Sequence, residues 1–476
     1  MNRLLPGFLL SLTLSACASL PTDLPPRPDL RAPATEATLT GANGKTGHAK
    51  AVALDERWWT SFGLPELDRL IETALKDAPD LAAAQARLRI AGQAERLARL
   101  DAQVHYATDA SITRQHLSKN GLFPPPIGGS TFTQTDITEN LSYSLDWWGR
   151  NRDLVRAAGN ERQAARDEAE AVRQSIAAAV ADAYFARADV EARLALARAL
   201  ADDHRKEHDL LQARFDLGLD SAQPLIDARR TLDLDEDRIH GLDYLAHSLR
   251  YRMSMLIGSD PDHAAALPTP GLDARLPALP ASLPLDWLAR RPDVAALRSR
   301  VEAASDRSAA TRAEFYPNLD LRMMVGLETL DLAKLFQANS VSASIGPALH
   351  LPIFNTRTLQ AKLALREADY AAAVAAYNRS ILEAARQSAD AYALIASLAQ
   401  RSQAQQQALR ETEHTRALAT QRQTLGLASP LDALEADSAV LGQRMNDIEI
   451  QAARLRAHVA LFKALGGNVT LEDPAP

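Results

Sequence analysis

The sequence predicts a mainly α-helical chain with a small transmembrane β part: a long α-helical coiled-coil shaft and four strands per chain, written as two tandem structural repeats. Three observations predict it. The stretch 150–216 holds no proline and repeats its apolar residues at helical spacing. Four other segments alternate apolar and polar side chains. Landmarks of the first half recur in the second: Tyr184 and Tyr392, Gly218 and Gly426, and Gly258 and Gly466 all stand 208 positions apart.

The helical element comes first. Val172, Ile176 and Val180 fall on one face of 150–216. At about 1.5 Å per residue this helix is on the order of 100 Å long. Such a length has no place inside a compact domain and predicts a coiled-coil shaft. Its alanine-rich face permits close approach but buries little area per residue, so other helices, including those of other chains, must supply the remainder. Each repeat then turns between two long helices, at Gly218-Leu219-Asp220-Ser221 and at Gly426-Leu427-Ala428-Ser429. The glycines suit a left-handed C′ position and Ser221 and Ser429 the next N-cap. Pro430 and Asp432 follow Ser429 at the first and third helical positions, the pattern of a capping box.

The strands are shorter. Val104, Tyr106, Thr108, Ala110 and Ile112 share one side of the first, and Leu141, Tyr143, Leu145 and Trp147 one side of the second. Leu319, Leu321, Met323, Val325 and Leu327 do so in the third, and Val341, Ala343, Ile345 and Leu349 in the fourth, which Pro347 interrupts. Four strands cannot close a barrel, because the smallest known have about 8. Chains must therefore combine: two give a filled barrel, and three give about 12 strands and a lumen.

The ends set the compartment. A basic start, Met1-Asn2-Arg3, precedes an apolar run from Leu4 to Leu14, the pattern of a signal peptide. Leu14-Ser15-Ala16-Cys17 resembles the bacterial lipobox, so residues 1–17 are expected to be a lipoprotein signal peptide ending at the acylated Cys17. Acyl chains contribute about 0.8 kcal/mol per buried CH₂ and would anchor the chain to outer-membrane lipid. Ala18 after that cysteine, rather than aspartate, suggests outer-membrane sorting by likeness to other bacterial lipoproteins. Cys17 is the only cysteine, so no internal disulfide can form. The expected organisation is a proline- and glycine-rich tether (18–54), a first repeat (55–258), a proline-rich linker (259–284) disfavouring both helix and ladder, a second repeat (285–467) and a tail (468–476).

Charge and motifs exclude other classes. Lys+Arg 53 against Asp+Glu 60 gives −7 with both signs interspersed, unlike a nucleic-acid footprint. Beyond the leader no apolar run approaches the roughly 20 residues of a spanning helix, so any crossing must use strands. His204 and His208, four apart, and the run Asp233, Asp235, Glu236 and Asp237 read as solvated faces rather than metal ligands. No nucleophile elbow, phosphate loop or zinc-protease motif is present, so neither an enzyme nor a cofactor is expected. Asp432 and Glu435 lie three apart and face the same way. Around a threefold axis they would crowd six carboxylates, each pair at ~8 Å repelling by roughly 0.5–2 kcal/mol. Such a ring would hold cations and act as a gate.

These residues resemble the TolC-like outer-membrane factors and, within them, the NodT- or OprM-like lipoprotein branch. The markers are Trp58-Trp59-Thr60-Ser61-Phe62, Arg290-Arg291-Pro292-Asp293-Val294, Glu314-Phe315-Tyr316-Pro317-Asn318-Leu319, the run from Gly346 to Phe354, and Leu465-Gly466-Gly467. The resemblance implies a homotrimer with a 12-stranded β-barrel above a helical periplasmic tunnel: an efflux channel in the outer membrane with a large periplasmic domain, working with a periplasmic adaptor protein and an inner-membrane transporter of RND or MFS type. It implies a periplasmic gate at Asp432 and Glu435, and adaptor contacts at the tips around Gly218, Leu219, Ser221, Gly426, Leu427 and Ser429. Two departures stand out. Pro224 replaces an acid often found in the first tip, leaving Asp227 opposite Glu435, and Asp146-Trp147-Trp148-Gly149-Arg150 alters the usual tryptophan motif. The competing reading is a non-conducting periplasmic coiled-coil lipoprotein that spaces the envelope layers.

Overall fold

The computed structural model describes residues 19–21, 24–31, 38–40, 51–55, 57–262, 267–276 and 282–471; Cys17 lies outside them. The chain runs through β1 (Thr38–Thr40), β2 (Ala51–Asp55), α1 (Pro65–Asp77) and α2 (Pro79–Asp101). Strands β3 (His105–His116) and β4 (Thr131–Ser144) lead into α3 (Arg150–Asp216) and α4 (Ala222–Leu256). Then come β5 (Ser282–Pro284), α5 (Pro292–Ala313), β6 (Asn318–Thr329) and β7 (Val341–His350). Two long helices, α6 (Thr356–Thr424) and α7 (Pro430–Leu465), precede β8 (Asn468–Leu471). Helix α3 spans 150–216 without a proline, with Gly149 before it and Gly218 after it both at positive φ. Among the described residues no helix is long and apolar enough to cross a membrane.

The described chain forms two compact units. The first takes in residues up to 30, with 87–166 and 296–378; the second takes in 31–86, 167–295 and the chain from 379 onward. In the first unit a four-stranded antiparallel sheet has the order β3-β4-β6-β7. Its register aligns the alternation of all four strands. Tyr106 lies opposite Leu141, Leu141 opposite Met323, and Met323 opposite Ile345, so one row of apolar side chains crosses the whole sheet.

Three strand expectations need correction. Val104 lies one residue before the start of β3 at His105. Leu145 and Trp147 fall beyond the end of β4 at Ser144, because Asp146 turns the chain at φ +46. The Asp146 carboxylate accepts the Asn151 and Arg152 N–H groups at 2.9 and 3.0 Å and so takes up free donors at the start of α3. Pro347 does not interrupt β7, which runs on to His350. β7 is an edge strand, where a missing N–H need not break a ladder on both sides.

Below the sheet, the Glu314-to-Leu319 marker finds its physical reasons. Phe315 is buried against Leu359 and Leu363. Tyr316 stacks on Trp148 with ring centroids 4.5 Å apart, and the Trp148 indole N–H donates to the Pro317 carbonyl at 2.9 Å. Glu314 pairs with Arg150 at 3.2 Å and Lys362 at 3.5 Å.

The second unit holds the aromatic core. Trp58, Trp59 and Phe62 sit in a short 3₁₀ turn and are essentially fully buried against α3 and the end of α7. Phe62 meets Phe185 at 5.2 Å and Trp58 meets Phe462 at 5.5 Å, while the Trp58 N–H donates to Gln174 Oε1 at 2.8 Å. Each buried aromatic here removes apolar area that the alanine-rich shaft cannot. Arg291 closes the other marker. It grips Asp293 through two bonds of 3.0 and 2.8 Å and donates to the Ala464 carbonyl at 2.9 Å, tying α5 to the last turn of α7.

The linker and the ends carry more structure than their composition predicts. Leu267, Leu272 and Ala274 pack on the aromatic core. Arg187 donates to the Leu267 carbonyl at 3.2 Å, Gln451 to the Leu272 carbonyl at 3.1 Å, and Gly271 N–H to the Tyr184 hydroxyl at 3.1 Å. Ser282–Pro284 pairs with Thr38–Thr40, and Ala51–Asp55 with Asn468–Leu471. A proline-rich stretch does form a ladder here, because β5 is three residues long and Pro284 sits at its end.

Candidate functional site: two hairpin tips and an open sheet

Both tips lie in the second unit and close by the same backbone device. Gly218 and Gly426 each adopt φ +71. In the first tip Gly218 N–H donates to the Phe215 carbonyl at 2.9 Å and Leu219 N–H to the Arg214 carbonyl at 2.9 Å. In the second, Gly426 N–H donates to the Gln423 carbonyl at 2.9 Å and Leu427 N–H to the Arg422 carbonyl at 2.8 Å. These paired bonds are Schellman motifs, which satisfy last-turn carbonyls and need a left-handed residue. Both leave apolar side chains in solvent: Leu217, Leu219, Leu425 and Leu427 are about two-thirds or more exposed.

The following caps differ. Ser429 and Asp432 form the expected capping box: Asp432 N–H donates to the Ser429 hydroxyl at 3.3 Å, and Ser429 N–H to the Asp432 carboxylate at 2.8 Å. Ser221 has the backbone geometry of an N-cap, but its side chain makes no capping bond, against expectation. Pro224 stands at the third helical position and has no N–H to donate, so the bond made in the second tip is impossible here. The first tip is tied instead by Arg214 to Asp220, at 2.5 and 3.0 Å.

Asp432 and Glu435 are both exposed on the first turns of α7. Across from Glu435, on α3, is Glu207. Burial pushes the Glu207 carboxyl above its ordinary range; the nearby His204 opposes the rise and the Glu435 charge adds to it. Asp227, on α4, is exposed, accepts from Gln223 at 3.0 Å and lies 3.7 Å from Arg230. Cys17, the expected acylation site, lies outside the described residues.

One sequence reading is corrected. His204 and Asp235 do not lie on solvated faces: His204 Nδ1 is 2.5 Å from the Asp235 carboxylate, and Asp235 is only 5 % exposed. The signal was present, since Ala228, Asp235 and Leu242 stand seven apart and all three are buried, a core heptad position. Among the described residues no cluster of three or more His, Cys, Asp or Glu is placed to hold a metal ion.

The sheet, in the first unit, is a separate candidate site. β3 and β7 each have one neighbour, so each presents an open backbone edge, and they run for 12 and 10 residues. Tyr106, Ile112, Met323, Val341 and Ile345 are exposed on it. In water such long apolar edges invite pairing with another chain.

Comparison with known proteins accords with this geometry. The family model described as outer membrane efflux protein matches residues 70–259 and 283–467. The pyoverdine export outer membrane protein OpmQ of Pseudomonas putida is 30% identical over 472 residues, covering 98% of this chain and 97% of the relative. The multidrug resistance outer membrane protein MdtP of Escherichia coli K12 is 28% identical over 485 residues, covering 98% and 97%. The crystal structure of the outer membrane protein VceC from Vibrio cholerae superposes with a TM-score of 0.79 at 30% identity, over 87% of this chain and 99% of that one. OprN, an outer-membrane channel, shares the fold with a TM-score of 0.83 at 23% identity, over 93% and 99%. The chain belongs to the outer membrane efflux protein family, with a TolC-like fold of long helices and a four-stranded sheet, and is an outer-membrane channel component of tripartite efflux systems.

Proposed function

We propose that three copies of this chain close one barrel and one tunnel, and that the assembly passively conducts drugs or other small molecules received from an inner-membrane transporter of RND or MFS type through a periplasmic adaptor. The observation that carries this is the four-stranded sheet, with both edges open and an apolar row across it. A β7 edge can pair with the β3 edge of the next copy, and three sheets of four make twelve strands. Closure leaves no edge, which a bilayer requires because lipid offers no hydrogen bonds. The 208-residue sequence repeat supports two structurally equivalent halves, 55–258 and 285–467, with six long hairpins in the trimer.

In this reading the tips are periplasmic. Leu219, Leu427 and their neighbours, exposed on rigid Schellman turns, contact the adaptor. Asp432 and Glu435 narrow the tunnel there and bind cations, and acylated Cys17 anchors the chain in the outer membrane. The relatives' names span pyoverdine export and multidrug resistance, and in this reading the inner-membrane pump selects the cargo.

Single-channel recording in planar bilayers tests the proposal. The purified protein is expected to conduct weakly, and Asp432→Ala with Glu435→Ala to raise basal current several-fold and to weaken block by divalent cations. Absence of any current, even in the double variant, would support an envelope spacer. Unchanged current and unchanged block would remove the gate assignment alone.

A further inference from the structure

Within the first unit, the proline-rich stretch after Cys17 does not behave as a free tether. Leu24 packs on the Phe315, Leu359 and Leu363 cluster. Gln360 donates to the Ser19 carbonyl at 3.3 Å, and Asn378 to the Asp29 carbonyl at 3.2 Å. Between them Arg27 enters a cleft of matched chemistry. Its Nε and Nη2 donate to the two carboxylate oxygens of Glu367 at 2.9 and 3.0 Å, and Nη2 also to the Ser308 hydroxyl at 3.0 Å. The guanidinium lies over the Tyr370 ring, 4.7 Å from its centroid.

The cleft is built from two helix faces. Ser305, Ser308 and Arg312 recur at helical spacing on α5, and Gln360, Leu363, Glu367 and Tyr370 on α6. Glu367 is 6 % exposed, and it also accepts from Ser308 at 2.6 Å and Arg312 at 2.7 Å. A buried carboxylate facing a bidentate guanidinium is a strong and geometrically selective pair. The bond from Arg27, with those from Ser308 and Arg312, holds the Glu367 carboxyl down to about 2, against the desolvation of its site. The pair is therefore fully formed above the usual value of 4.5 and is lost only as pH falls from there toward 2. Pro25, Pro26 and Pro28 hold the segment extended before it docks, so little chain entropy is lost on seating.

We propose that the cleft between α5 and α6 is a docking site for the chain's own segment 24–30, keyed by Arg27, and that this seat fixes the residues next to Cys17 against the start of α6, where the strands give way to helix. Ser19 is two residues from Cys17, and Gln360, its partner, is ten residues beyond the end of β7. The seat therefore brings Ser19 to the strand-proximal end of the unit. Its consequence for acyl chains rests on the proposed modification of Cys17.

Hydrogen exchange read by mass spectrometry on the full-length protein in detergent tests this. The peptide covering 19–31 should be protected in the native protein. Arg27→Ala should speed its exchange by about tenfold, what one charge-assisted hydrogen bond contributes, with exchange in β3 to β7 unchanged. Arg27→Lys should fall between, because a point charge cannot bridge both carboxylate oxygens. Free-chain exchange of 19–31 in the native protein, or protection unaltered by Arg27→Ala, would overturn the proposal. The mass of the N-terminal peptide reports acylation separately: an unmodified Cys17 removes the anchor and leaves the docking to be judged by exchange.

Discussion

The two hairpin tips share a turn and differ in the cap that follows it. Both end their first helix with the same Schellman bonds around a glycine at φ +71. In the second tip, Ser429 and Asp432 satisfy each other's backbone N–H. In the first, Pro224 stands where Asp432 stands in the second; it can neither donate to Ser221 nor offer a carboxylate, and an Arg214 to Asp220 ion pair ties the turn instead. A capping box is local and insensitive to salt, whereas an exposed ion pair is weakened by it. The comparison teaches that the acid proposed for the gate has a prior structural task in its own helix. Asp432 is held in place by its cap to the backbone, whereas Asp227 on α4 is met by the side chains of Gln223 and Arg230.

That contrast can be broken in stages. The largest effect is expected on conductance: Asp432→Ala with Glu435→Ala should raise basal current several-fold, while Asp227→Ala should leave it unchanged. Equal effects from both would show that the first tip shares the constriction. Next, Gly218→Ala and Gly426→Ala should each destabilise their tip by about 1–2 kcal/mol, because a β-carbon is strained in the left-handed region. Hydrogen exchange localised to 210–225 and 420–435 would read this without global unfolding.

A smaller and more diagnostic effect concerns the caps. Ser429→Ala should loosen the second tip by about 1 kcal/mol and Ser221→Ala should have almost no effect, whereas Pro224→Asp should tighten the first tip by about 1 kcal/mol. A loss on Ser221→Ala equal to that on Ser429→Ala would contradict the role given to Pro224.

The smallest effect involves Glu207. Its raised pKa means that the folded chain holds this proton to higher pH than the unfolded chain does. Stability from this group is therefore complete below the ordinary carboxylate range and declines as pH rises through the raised value. Glu207→Gln should stabilise the region slightly at neutral pH, by less than the Ser429 cap contributes, and leave it unchanged in acid. A pH-independent gain in exchange protection would mean that the charge is not the cause.

Much of the molecule is legible in its sequence. The helical spacing of apolar residues across 150–216, a stretch free of proline, gave α3, and the turn at Gly218 its C-terminal end. The alternation of four segments gave the four sheet strands, and Ser429, Pro430 and Asp432 gave the capping box. All of these rest on short-range physics: helical or strand periodicity, the φ allowed to glycine, the donors left free at a helix start. The Ser221 cap was legible in principle too, since Pro224 lies three residues away in the same sequence.

What only the tertiary structure decided involves partners far apart in the chain. Nothing near Arg27 indicates that it grips Glu367, 340 residues later. Nor does composition show that Leu267 to Ala274 would lie on an aromatic core, or that Asp235 would be buried against His204. A charged or proline-rich residue reads as solvated until a specific neighbour compensates its desolvation, and that compensation depends on distances the sequence does not encode locally. The sequence by itself determined the elements and their exposed apolar rows; packing decided which polar groups those elements could afford to bury.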